Sequence, residues 1–232
     1  MTATLYVVVE GDTEERFVNR VLVPHLVTTF GVCAYASRVV TSGRRGNHAA
    51  QGGGRTYKAW KDDINSWIRQ QQHRENVWFT SMLDLYGLAR FTDGFPGYDQ
   101  WGEHSDAYEK VNGLEAAWAK DINCSRFVPY LQLHEFEALV LVDVSALARQ
   151  FIEQAESIKG LETDIKATGL VPELIDDGPT TAPSKRIIDR VPQYDRRKAD
   201  AGSSAAAEIG LKRLREECPH FAEWLSKLEK LG

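Results

Sequence analysis

Apolar and polar residues follow two rhythms along this chain, and the switches between them mark out its elements. Leu5 to Val9 is an uninterrupted apolar run, the pattern of a strand buried on both faces of a parallel sheet. Phe17, Val18, Val21, Leu22 and Leu26 then recur at helical spacing, with Thr13 placed to cap the helix and Pro24 to kink or tighten its last turns. A second strand is expected around Arg38 to Thr41. The glycines of "SGRRGNHAAQGGGRTY" mark a loop, after which Trp60, Ile64, Trp67 and Ile68 give a helix from about Tyr57 to Gln71 its core-facing side. Val77 to Leu83 reads as a third strand, "FTDGFPGYDQWG" as a Gly/Pro/aromatic loop, and Ser105 to Ile122 as a helix. A fourth strand, "FVPYLQL", gives way to a helical pattern at "HEFEALVLV".

This alternation predicts an α/β fold: a parallel sheet of about four strands with helices on both faces. After Asp143 the pattern changes to helical segments, a stretch rich in Pro, Gly and small residues, and two closing helices. Leu211, Leu214 and Cys218 stripe the first of these; Phe221, Leu225 and Leu228 stripe the second, which Pro219 opens. The expected organisation is a sheet domain over residues 1–143 and a helical subdomain over residues 144–232 packed on it.

Composition narrows the class. A chain of 232 residues suits one sizeable domain with an appendage. No run approaches the roughly 18 apolar residues that a membrane span requires, and the N-terminus lacks the basic-then-apolar pattern of a secretory signal. Cys33, Cys124 and Cys218 are too few and too scattered for a disulfide framework or a zinc knuckle, so a cytoplasmic protein with reduced thiols is expected. The net charge of −5 argues against indiscriminate coating of nucleic acid. Yet the stretch from Arg38 to Lys61 holds six basic residues and no acid, and Lys185 to Lys198 is a second basic cluster. Such runs are most often solvated faces. The first, with Arg44, Arg45 and Arg55 around Gly52 to Gly54, also suits a loop that grips phosphate.

The candidate chemistry lies at strand ends, where parallel sheets gather their ligands. Glu10, Asp84 and the group His134, Glu135 and Glu137 all fall there. Acids in a first helical turn favour the helix dipole, which accounts for Glu14 and Glu15 but not for Glu10. Carboxylates arriving from three chain segments suit a hard divalent cation such as Mg²⁺; without one they would raise one another's pKa. Asp84 could equally be a turn or cap residue, and His134, Glu135 and Glu137 a capping cluster, with Glu137 the favoured ligand or supporting group. His134 has neither an HExxH helix nor paired cysteines with which to build a zinc site.

"VVVEGDTEERFV" resembles the Glu-Gly-x-x-Glu opening of Toprim domains, the metal-binding fold of topoisomerases, primases and OLD-type nucleases. Over nearly the whole chain, "VEGDTEERFVNRVLVPHL", "MLDLYGL", "YLQLHEFEAL", "DDGPTTAPSKRI" and "CPHFAEWL" resemble, in that order, the Toprim-like DUF4276 family, a relative of RloB-type proteins. The resemblance implies that Glu10 is the Toprim glutamate, Glu14 the second acid of its motif, Asp84 the first residue of Asp-x-Asp, and Glu137 a later acid. Together these would ligate Mg²⁺ or Mn²⁺. Tyr86 stands where the second Asp belongs, which leaves one ligand fewer. A lysine assists in OLD-type enzymes, and Lys185 of "APSKR" is the candidate here. The implied activity is metal-dependent phosphodiester cleavage in DNA or RNA. Glu10 would bind metal or act as general base, while Lys185, Arg186 and the Arg44, Arg45 and Arg55 loop hold phosphate. The competing implication is a non-catalytic subunit that binds or senses nucleic acid. Strand passage and primase chemistry lack their tyrosine-bearing domain and zinc motif. Family members resemble parts of phage-defence or mobile-element systems, encoded beside an ABC-type or AAA ATPase. Such an ATPase is the expected partner, since this chain has no Walker A sequence.

Overall fold

The protein's structure, a computed structural model, describes residues 2–38, 56–91, 93–176 and 181–232. It opens with β1 (Thr4–Val9), α1 (Asp12–Phe17), α2 (Val23–Phe30) and β2 (Cys33–Arg38). Then come α3 (Tyr57–Gln70), β3 (Val77–Asp84), the short α4 (Tyr98–Trp101) and α5 (Ala107–Ile122). Two brief strands, β4 (Phe127–Val128) and β5 (Leu131–Gln132), precede α6 (Glu137–Val140). The C-terminal part is helical: α7 (Ala155–Thr168), α8 (Pro183–Arg190), α9 (Lys198–Glu217) and α10 (Pro219–Glu229).

The sheet is parallel throughout, in the order β2-β1-β3-β4, with β5 also pairing β3. β1 is central because its side chains are apolar on both faces. Leu5, Val7 and Val9 point into one core with Phe17, Met82, Phe136, Leu214, Phe221 and Trp224. Val8 points into the other, with Trp60, Ile64, Phe79, Leu114 and Trp118 from α3, β3 and α5. The helices expected to form an appended subdomain therefore share a single core with β1 and α1. Trp224 is fastened there by its indole N–H, which donates to Thr80 Oγ1 of β3 at 2.8 Å. Glu173, fully buried, accepts the His220 and Phe221 backbone N–H groups at 2.9 Å each and so closes the start of α10. Among the described residues, no helix is long and apolar enough to cross a membrane.

Three local features differ from the sequence reading. The second strand is described over Cys33–Arg38, so it begins before the expected span, whose positions 39–41 lie outside the described residues. It is an edge strand with a mixed face, and Tyr35 is exposed, so it lacks the apolar run that betrays a buried strand. The fourth strand is broken at Pro129 and Tyr130, where Ser81 replaces the ladder: its hydroxyl donates to the Tyr130 carbonyl at 3.1 Å and accepts the Tyr130 N–H at 2.9 Å. Pro24 does not kink a helix end. It sits in the first turn of α2, and a π-helical turn over Val18–Leu22 carries the chain into it.

Candidate metal centre

Registry brings the acids to one edge. β1 and β3 pair with Val9 opposite Met82, so Glu10, the next residue, and Asp84, two residues on, leave the same end of the sheet. β5 pairs with Asp84 opposite Gln132, which delivers His134, Glu135 and Glu137 to that edge as well. The exits of β3 and β5 are tied by the Tyr86 N–H, which donates to the His134 carbonyl at 3.1 Å.

The first acidic motif solves a capping problem. Gly11, not Thr13, is the residue before the helix; it has no side chain with which to cap, and Glu14 reaches back instead. Its Oε2 accepts the Gly11 N–H at 2.9 Å, leaving the carboxylate buried. Asp12 and Glu15 point outward and are neutralised by Arg38, which pairs with Asp12 and lies 3.0 Å from Glu15. Glu10 is different. Its Oε1 faces Arg90 at 3.7 Å, while its Oε2 is buried without a hydrogen-bond partner. A Cβ at position 87 would lie 2.9 Å from that same Oε2, so any larger residue in the Leu85–Arg90 turn would displace the Glu10 carboxylate.

Asp84 likewise has a buried Oδ1 with no partner. Glu137, buried at the start of α6, accepts the Tyr194 hydroxyl at 3.1 Å. Glu135 accepts the Ser184 N–H at 3.0 Å, in the first turn of α8.

Burial dominates the electrostatics. It raises the pKa of Glu10 against the opposing pull of Arg90. It raises that of Glu14 from 4.5 to about 7, with Glu10 and Glu137 adding repulsion. Asp84 is pushed well above the usual carboxylate range, by burial first and then by Glu14, Glu10, Glu137 and Glu135. Glu137 is raised by burial and by Glu135, with Lys198 opposing. Asp84 and Glu14 thus feel the charge of their acidic neighbours as well as the loss of water.

Among the described residues, no three His, Cys, Asp or Glu side chains form a ready metal cage. The hydrogen bonds explain this: Glu14 and Glu137 are turned onto Gly11 and Tyr194, which leaves open oxygens on Glu10 and Asp84. Two open carboxylate oxygens still suit Mg²⁺ or Mn²⁺, since Mg²⁺ keeps several waters and takes only one or two carboxylates. The residues present fit such an ion.

Of the remaining expected residues, Lys185 is exposed on α8 and lines a surface groove with Leu161, Asp164, Arg186 and Arg190. The Arg186 Nε donates to the Thr181 carbonyl at 2.9 Å. Arg44, Arg45 and Arg55 lie outside the described residues. Tyr86 donates its hydroxyl to Asp176 and tilts against the His134 ring at 5.5 Å. Reading the sequence did not single out Arg90, Lys198 or Tyr194. Lys198 closes the second basic run, which was its one visible signal; a tyrosine in "VPQYDRR" carries none.

The model of a domain of unknown function, DUF4276, matches residues 9–229. No curated protein and no solved structure matches the chain.

Proposed function

The chain belongs to the DUF4276 family, a domain of unknown function, and we propose from its acid cluster that it is a metal-dependent phosphodiesterase acting on nucleic acid. The observation that carries this reading is the pair of buried, unpartnered oxygens on Glu10 and Asp84, set among carboxylates whose charges raise the pKa of Asp84 and of Glu14. Leaving such groups bare is unfavourable. An arrangement that repels itself when empty is suited to a cation.

Glu10 and Asp84 would hold Mg²⁺ or Mn²⁺, with Glu14 and Glu137 able to turn in from their hydrogen bonds. Bound there, the ion supplies charge that offsets the carboxylates and polarises the phosphate. The chain's own groups do the rest. Glu10 Oε2 either binds the ion or, where the other acids hold it, accepts the proton of an attacking water. Arg90, largely exposed beside Glu10, and Lys198, whose charge reaches Glu137, would hold phosphate oxygens. Lys185, Arg186 and the loop carrying Arg44, Arg45 and Arg55 would extend that grip along the strand. Toprim-like kinship, a cytoplasmic setting and an ABC-type or AAA ATPase partner belong to the same proposal.

A second reading, a binding or sensing subunit without turnover, is favoured by Tyr86, whose hydroxyl is engaged with Asp176 where Toprim enzymes carry another acid. One assay separates them. Purified protein with Mn²⁺ is incubated with plasmid and with tRNA beside the Glu10→Gln variant. Cleavage that needs both Mn²⁺ and Glu10 is expected; binding without any cleavage would establish the second reading instead.

A further inference from the structure

Beside the acid cluster lies a second polar cavity of about 400 Å³, within the range of small-ligand sites. Tyr86, Tyr108, Lys110, His134, Leu174 and Asp176 contribute to its walls. It is built on the same carboxyl edge: Tyr86 follows Asp84 by two residues and His134 precedes Glu137 by three.

His134 is the unusual member. Its backbone sits at φ 60°, a left-handed conformation uncommon for a ring-bearing residue. The residue is only 7% exposed, and neither ring nitrogen makes a well-aligned hydrogen bond. Asp176 Oδ2 lies 3.3 Å from Nδ1 but already accepts the Tyr86 hydroxyl, and the Glu173 main chain is also near. Burial and the charge of Lys110 both disfavour the imidazolium, so the ring is a neutral group offering one donor and one acceptor.

The lining selects its occupant by exclusion. A bare phosphate would meet the carboxylates of Asp106 and Asp176. A purely apolar ligand would leave His134 and Lys110 unsatisfied. A flat heteroaromatic ring with both donors and acceptors on its edge satisfies them all, with the Tyr86 and Tyr108 rings as stacking surfaces. We infer that this cavity is the subsite for a nucleobase of the strand whose phosphodiester the acid cluster addresses. The inference rests on the phosphodiesterase reading above.

The test is run on the full chain in EDTA, where chemistry is silent. Binding of the four nucleoside 5′-monophosphates, of ribose 5-phosphate and of a single-stranded hexanucleotide is measured by calorimetry. At least one nucleoside monophosphate is expected to bind about tenfold or more tighter than ribose 5-phosphate, the value of one good hydrogen bond or stacked ring. The hexanucleotide should bind tighter still. His134→Asn, a residue that tolerates left-handed backbone, and Lys110→Ala should each abolish the preference for a base-bearing ligand while the melting temperature holds. Equal binding of ribose 5-phosphate, or an undiminished preference in Lys110→Ala, overturns the subsite. A monophosphate that binds where the hexanucleotide does not overturns its assignment to a polymeric strand. Base binding by a protein that cleaves nothing in Mn²⁺ removes the phosphodiesterase reading and leaves the base site standing.

Discussion

Glu14 offers a test in which removing a functional group should strengthen the protein. In Glu14→Gln, an amide oxygen can still accept the Gly11 N–H, so the helix start is preserved and only the charge is lost. The folded-state pKa of Glu14 is raised from 4.5 to about 7. For an acid, a raised value means that the fold binds the proton more tightly than the unfolded chain does. Stability is then lost as pH climbs from 4.5 through 7 and regained as pH falls. At about 1.4 kcal/mol per unit, the wild-type protein carries up to about 3 kcal/mol of strain at pH 8. The amide carries none. In a domain of this size each kcal/mol moves the midpoint by roughly 2–4 °C, so Glu14→Gln should melt roughly 6–12 °C higher at pH 8. The advantage should nearly vanish at about pH 4, where the wild-type carboxyl is protonated in both states. The assay is calorimetry in EDTA across that pH range, repeated with millimolar Mn²⁺, which should raise the wild-type midpoint more than that of the variant. A variant that melts lower at pH 8 in EDTA, or a gain that persists unchanged at pH 4, would refute the reasoning.

Tyr86→Phe removes one hydrogen bond to Asp176 and should cost about 1 kcal/mol of stability with little change in Mn²⁺ affinity; Glu137→Gln should weaken Mn²⁺ binding nearly as much as Asp84→Asn, as titration calorimetry of the three side by side will show. In Gly87→Ala, the new methyl collides with Glu10 Oε2 and should lower Mn²⁺ affinity by about tenfold, the usual effect of disturbing a ligand's support, with a smaller loss in melting temperature. Replacing Arg44 and Arg45 together with Ala should weaken nucleic-acid binding and flatten its salt dependence by about one unit of slope per lost phosphate contact; an unchanged slope in a filter-binding titration would reduce the basic run to solvated surface.

Much of the architecture was legible from side-chain rhythm. β1, β3, α3 and α5 follow patterns dictated by burial on both faces or on one stripe, and the acids sit at strand ends because parallel pairing puts them there. The start of β2 was missed because half-exposed edge strands need no apolar run. The cap was misassigned because capping by Glu14 across Gly11 is a three-residue reach, and Thr13 offers a hydroxyl two positions too late. What surrounds the acids was illegible for a different reason. Tyr194 reaches Glu137 only because residue 202 is glycine, where a Cβ would stand 2.6 Å from the tyrosine hydroxyl. That dependence joins three residues far apart in the chain, and no local pattern encodes it.

The single core shared by β1 and the last helices sets an order of events during synthesis. The strands that carry Glu10 and Asp84 leave the ribosome long before α9 and α10 exist, and at that stage their carboxylates are solvated and content. Only when Leu214, Phe221 and Trp224 arrive to cover the sheet do those charges lose their water and begin to repel. The contacts that create the site are thus among the longest-range in the molecule, the kind formed slowly and late. A nascent or truncated chain has the acids but not the field between them, so the electrostatic character of this edge arises only in the last step of folding.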